Sequence, residues 1–147
     1  MKFSQRILIL FLLCVFGCNA SGNPDGRIDV TGTITLNGKP FTFAGGCFFE
    51  PVNGIKEDGG VSQILDGKIF LTGQAAPKPG KYIVRIYAID YYDKTTNLPI
   101  TPETKPGNFY TVKVIPDDFN INSTIEFEVV AKKKNVFNYN IVTDDKP

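Results

Sequence analysis

Histidine is absent from this chain of 147 residues, and so is tryptophan. Without histidine neither a Ser-His-Asp nor a Cys-His catalytic arrangement can be assembled. The usual zinc and copper ligand sets are lost with it, because three cysteines are too few to replace imidazole. Charge of one sign is also lacking: 16 Lys and Arg stand against 15 Asp and Glu. No basic field is left to hold nucleic acid. Long apolar runs are missing too. The longest, residues 7–16, falls well short of the ~20 residues that a spanning helix needs.

What the chain does have begins with that short run. Lys2 and Arg6 precede it, and the small pair Gly17-Cys18 and a polar stretch follow it. This order fits a secretory signal peptide over residues 1–17. Val15-Phe16-Gly17-Cys18 resembles the lipobox of bacterial lipoproteins. The resemblance implies that the Cys18 thiol receives a diacylglyceryl group and becomes the new N-terminus. Ordinary secretion, with cleavage elsewhere nearby, is the alternative the same leader allows. A single acyl chain anchors only marginally, whereas two or three hold a domain at a membrane without spanning it. Asn19 after the cysteine, rather than Asp, favours the outer membrane by the same resemblance.

Residues 18–26, rich in Asn, Ser, Gly and Pro, read as a flexible tether, leaving residues 27–147 as one domain. Loss of Lys2 and Arg6 leaves 14 basic residues against 15 acidic ones, a net charge of −1. Cys14 departs with the leader and Cys18 is alkylated, so Cys47 alone keeps its thiol. No internal disulfide can form, and packing alone must hold the domain.

Period-two alternation dominates the remainder, with no helical period longer than a turn. Ile28, Val30, Ile34 and Leu36 share one face of a strand, and Arg27, Asp29, Thr31, Thr33 and Thr35 the other. Asn37-Gly38 predicts a tight hairpin, with residues 39–51 as its return strand and Gly45-Gly46 as a bulge. Residues 61–73 predict a second hairpin turning at Asp66-Gly67. In "KYIVRIYAIDYY", Tyr82, Val84, Ile86 and Ala88 should point inward. The opposite face, Ile83, Arg85, Tyr87 and Ile89, is too apolar to be fully wet, as in a central strand. Residues 93–108 form the one long loop, and three more strands follow. About seven or eight strands indicate an all-β antiparallel β-sandwich.

Read together, these pieces resemble a family. Residues 32–40, 49–51, 66–71, 79–86, 116–129 and 135–141 carry "GTITLNGKP", "FEP", "DGKIFL", "PGKYIVRI", "PDDFNINSTIEFEV" and "NVFNYNI". In that order they are similar to small lipoproteins of planctomycete-type bacteria, whose domain is carboxypeptidase regulatory-like, a transthyretin-like or Ig-like sandwich. The resemblance implies a fold and an envelope location. It implies no activity, and it implies that Asn37, Gly38, Asp66, Gly67, Pro79 and Gly80 are turn scaffold. Asn120 is expected to close a turn on its own backbone.

Candidate chemistry is sparse. Cys47, in an apolar strand, reads as a buried and inert thiol. The carboxylates Glu57-Asp58, Asp90/Asp93 and Asp117-Asp118 lie in or near loops, where a small hydrolase would need them paired over a cleft. Asp90 with Asp93, or Asp117 with Asp118, are the only calcium candidates. Tyr87, Tyr91 and Tyr92, beside the long loop, form the candidate binding surface. The turn at residues 132–134, three lysines, reads as solvated. The expectation is therefore a non-catalytic binding or structural module, held to the membrane by lipid on Cys18, with an envelope protein or polysaccharide as partner. A small envelope hydrolase and a subunit of an envelope assembly are the alternatives. No cofactor is expected.

Overall fold

Asn37 and Gly38 both take positive φ, 50° and 79°, the geometry that matches a two-residue turn to the twist of its strands. In the computed structural model, which describes residues 23–101 and 103–144, this turn reverses β1 (Val30–Leu36) into β2 (Lys39–Pro40). The leader 1–17, Cys18 and the tether as far as residue 22 lie outside the described residues.

The expected return strand does not persist. β2 makes only two pairs with β1, Leu36 with Lys39 and Thr35 with Pro40. Pro40 has no N–H to extend the ladder, and the rest of that edge of β1 is taken by β5 (Lys68–Leu71), from Thr33↔Lys68 to Val30↔Leu71. The chain instead crosses at buried Phe41 into a second sheet as β3 (Ala44–Pro51). The Asp66-Gly67 turn, with φ 49° and 74°, is likewise a corner rather than a hairpin within one sheet. β4 (Gly60–Gln63) pairs with β3 and β5 pairs with β1; the bridge Leu65↔Lys68 closes the turn, and the Ser62 hydroxyl of β4 accepts the Phe70 amide of β5 at 3.0 Å.

The second sheet is organised by β6 (Gly80–Asp93), which at 14 residues is about 45 Å long. β3 lies along one edge of it. Along the other edge β8 (Ile125–Val129) covers Gly80 to Val84, and β7 (Phe109–Lys113) covers Ile89 to Asp93. β6 is therefore the central strand that its apolar outer face required. No bulge occurs at Gly45-Gly46: each residue of β3 has one partner on β6 through both glycines.

The last strand, β9 (Asn135–Ile141), runs parallel to β1, from Val30↔Asn135 to Leu36↔Ile141. β8 ends beside Gly80, at the end of the sandwich where β1 also starts. Residues 130–134 carry the chain across to the other sheet there, so β9 and β1 set out in the same direction. Asn135 fastens this turn, donating from Nδ2 to the carbonyls of Val130 and Lys133 and accepting the Val130 amide.

The described residues form an all-β sandwich of nine strands, one or two more than the sequence predicts. Its sheets have four and five strands and are mostly antiparallel. Between them lie Val30, Ile34, Leu36, Phe41, Cys47, Phe49, Ile69, Leu71, Tyr82, Val84, Ile86, Phe137 and Ile141. Phe49 sits at the centre, in edge contacts with Tyr82, Phe127 and Phe137 at centroid distances of 6.1, 5.6 and 5.5 Å. Cys47 is fully buried, and burial pushes its thiol up to about 12. It is not a nucleophile at neutral pH.

The described part of the expected tether is docked. Asn23 bonds Asp29 and the Gly73 amide, and Ile28 donates to Pro77 at 2.8 Å. The start of the chain is thus fastened at the end of the sandwich where β6 begins.

Candidate functional site

Successive residues of a strand point to opposite faces, and this divides the three candidate tyrosines. Tyr87 and Tyr91 share the outer face of β6 with Ile83, Arg85 and Ile89. Tyr92 has the opposite parity, stacked on Tyr110 at 5.9 Å. Tyr91 meets Phe109 edge-on at 5.5 Å. The structure brings together two of the three, about 13 Å apart along the strand, and turns the third away.

Tyr87 has a neighbour that the sequence reading missed. Phe48 on β3 shares the outer face and stacks on Tyr87, with centroids 5.5 Å apart and planes 29° from parallel. It is 42% exposed. Gly46, directly opposite Tyr87, makes the arrangement possible. A Cβ there would sit 2.4 Å from Cε1 of the tyrosine and 2.9 Å from its hydroxyl. The far half of the ring thus lies across Gly46 and buries it. The glycine read as a bulge is instead a seat for an aromatic ring. A signal was available in "CFF", because adjacent phenylalanines on one strand must face opposite ways and only one can join the core.

Beside this pair the chain builds a wall. Residues 115–121 pass from β7 to β8 over the outer edge of β6 and make a 3-10 turn at Asp117–Phe119. Arg85 holds the wall in place: its Nη1 donates to the carbonyls of Asn120 and Ile121, both at 2.7 Å, while its Nε pairs with Glu50. Lys113 closes on Asp117 at 2.7 Å. Between wall and sheet runs a groove of about 380 Å³ lined by Phe48, Tyr87, Ile89, Lys113, Asp117 and Asn120, among others. The turn expected at Asn120 is made by backbone alone, Ser123 N–H to the Asn120 carbonyl at 3.0 Å. The Asn120 side chain makes no hydrogen bond among the described residues, and the residue lines the groove.

A second groove, of about 400 Å³, separates the free edges of β8 and β9. Its floor is Phe127 and Phe137, 5.3 Å apart and continuous with the ring cluster around Phe49. It is where the core reaches solvent between the two sheets.

The carboxylates are engaged one by one. Asp58 pairs with Lys78 at 2.8 Å, and Asp90 accepts the Tyr91 amide. Asp93, 9% exposed, organises the long loop: its Oδ1 accepts the amides of Thr95 at 2.6 Å and Thr96 at 3.0 Å. These two N–H groups hold its carboxyl below the ordinary carboxylate value. Asp90 and Asp93, three residues apart on a continuous strand, fall on opposite faces and cannot share a cation. Among the described residues no group of three or more acidic or cysteine side chains could hold a metal ion. No described helix is long and apolar enough to cross a membrane.

Comparison of the chain with protein-family models, with curated proteins and with solved structures returns no match.

Proposed function

We propose that this chain is a non-catalytic, lipid-anchored module of the bacterial cell envelope that binds a partner through the outer face of its five-stranded sheet. The observation that carries the reading is the row Phe48, Tyr87, Ile89, Tyr91 and Phe109 on the side of the sheet away from the core. A solvated sheet face ordinarily alternates to polar side chains, and a contiguous exposed apolar patch marks an interaction site. The leader and Cys18 supply the anchor.

The tether and the face are arranged compatibly. The chain is fastened near Gly73 and Pro77, where β6 begins. With acylation at Cys18, only four residues, 19–22, separate the lipidated cysteine from Asn23. Tyr91 lies about 36 Å along β6 from Gly80, at the end of the strand away from where Asn23 is fastened.

Two measurements test the reading. Fatty-acid labelling should mark the protein and be lost in Cys18→Ser; persistence of the label refutes the anchor. The protein should co-sediment with isolated envelope fragments in detergent, and a Phe48→Ser/Tyr87→Ser double variant should not. Equal sedimentation of the two refutes the face.

A further inference from the structure

We propose that the groove beside Tyr87 is a binding site for a neutral sugar ring of a polysaccharide, with Tyr87 as its platform and Asn120 as its hydrogen-bonding partner. This rests on the preceding reading of the outer face and names the chemistry of its ligand.

The ring comes first. Tyr87 lies over Gly46 and is braced by Phe48, so its orientation is fixed before any ligand arrives. Preorganisation of this kind removes the ordering cost from binding. Its hydroxyl makes no hydrogen bond among the described residues, although the residue is half-buried. A tyrosine so placed normally finds a partner for its O–H. The Asn120 amide, across the groove, is in the same condition and offers both a donor and an acceptor.

The charges come second. Every ionic group at the groove is already matched inside the protein: Lys113 with Asp117, and Arg85 with Glu50 and two wall carbonyls. The site therefore holds an apolar ring surface, neutral hydrogen-bonding groups and no spare charge. A pyranose has the complementary chemistry, with flat C–H faces to lie on an aromatic ring and neutral hydroxyls around its rim. An acidic or basic ligand would have to displace the Lys113–Asp117 pair to find a counter-charge. An extended peptide would seek unpaired backbone at a strand edge, and beneath the groove the β3-facing edge of β6 is fully paired. A bilayer surface would favour cations free to meet headgroups.

The dimensions come third. At about 380 Å³ the groove is near the lower limit of small-ligand clefts, about 300–1,000 Å³, and fits a sugar ring or two rather than a folded partner. The apolar row continues past it to Tyr91 and Phe109, so a chain of sugars lying along β6 meets further rings.

The test uses the full chain in detergent, titrated with cello-, xylo-, manno- and chito-oligosaccharides and followed by backbone amide NMR. At least one of these probes is expected to shift the amides of Phe48, Tyr87, Ile89 and Asn120 together. Tyr87→Ala should then weaken binding about tenfold, as for a central aromatic anchor, and Tyr87→Phe, which keeps the ring, much less. If Tyr87→Ala fails to fold, Asn120→Ala replaces it and should also weaken binding. Absence of shifts at the groove with every probe, or undiminished binding by the variants, overturns the inference. If the sugars fail while the double variant still loses envelope co-sedimentation, only the sugar ligand falls. If co-sedimentation also survives, the binding face falls with it.

Discussion

The outer faces of the two sheets differ in how their polar groups are used, although each carries exposed apolar side chains: Phe70 and Val136, 54% and 42% exposed, flank Thr31 on the four-stranded sheet. On the four-stranded sheet, Thr33 and Thr35 of β1 stand beside Asn138 and Asn140 of β9. The threonine hydroxyls donate to the asparagine carbonyls at 2.9 and 2.7 Å, and Asn140 also accepts the Gly38 amide of the first turn. On the five-stranded sheet the equivalent positions hold Phe48, Tyr87, Ile89 and Tyr91, and the two tyrosine hydroxyls make no hydrogen bond among the described residues. Both faces come from the same period-two alternation.

Phe48 and Phe49 bring that contrast down to neighbouring residues. Phe49→Ala removes the centre of the ring cluster and is expected to cost about 3–5 kcal/mol, measured by urea denaturation. Phe48→Ala, on the outer face, is expected to cost less than about 1 kcal/mol while impairing envelope binding. Similar losses from the two substitutions would mean that the outer row is structural packing.

Much of the architecture was legible in the sequence because it is set by local rules. Asn37-Gly38 and Asp66-Gly67 dictate positive φ wherever they occur, and alternation from Tyr82 to Ala88 identifies the buried side. Which sheet receives a strand is not local. The segment after Pro40 changes sheet because β5, some thirty residues later, occupies the edge it would have extended. The proposed face was half legible. Alternation puts Tyr87 on the outward side of β6 and Tyr91 shares its parity, but Tyr92 follows Tyr91 directly and turns the other way. Gly46 acquires its purpose only from a register that places it opposite a residue forty-one positions on, and no local pattern reveals that. Nor did local pattern show that Asn120 would leave its turn to backbone atoms and keep its side chain free.

A smaller effect sharpens the comparison from the polar side. Asn140→Ala strips Thr35 and the Gly38 amide of their acceptor, but at an exposed site open to water. The expected cost is about 1 kcal/mol or less, with envelope binding unchanged. A loss of binding here would show that the polar face also takes part.

The most local effect concerns the loop at the far end of β6. Asp93 has its folded-state carboxyl pKa held below the ordinary value by the Thr95 and Thr96 amides. Its contribution to loop order is therefore present above the unfolded value of about 3.9. It disappears as pH falls through the lower folded value. Amide exchange at Thr95 and Thr96 should be slow at neutral pH, accelerate in strong acid, and be fast at all pH values in Asp93→Ala, which leaves no acceptor. Unchanged protection in that variant would contradict the assignment of Asp93 as the loop's anchor.

The decisive measurement is site-specific photocrosslinking in living cells, with a photoreactive phenylalanine analogue placed at Tyr91 in one strain and at Thr33 in another. The expected result is a discrete crosslinked species, protein or glycan, from Tyr91 and none from Thr33. Equal crosslinking from both positions, or none from Tyr91, would contradict the claim that the aromatic face is where this domain meets its partner.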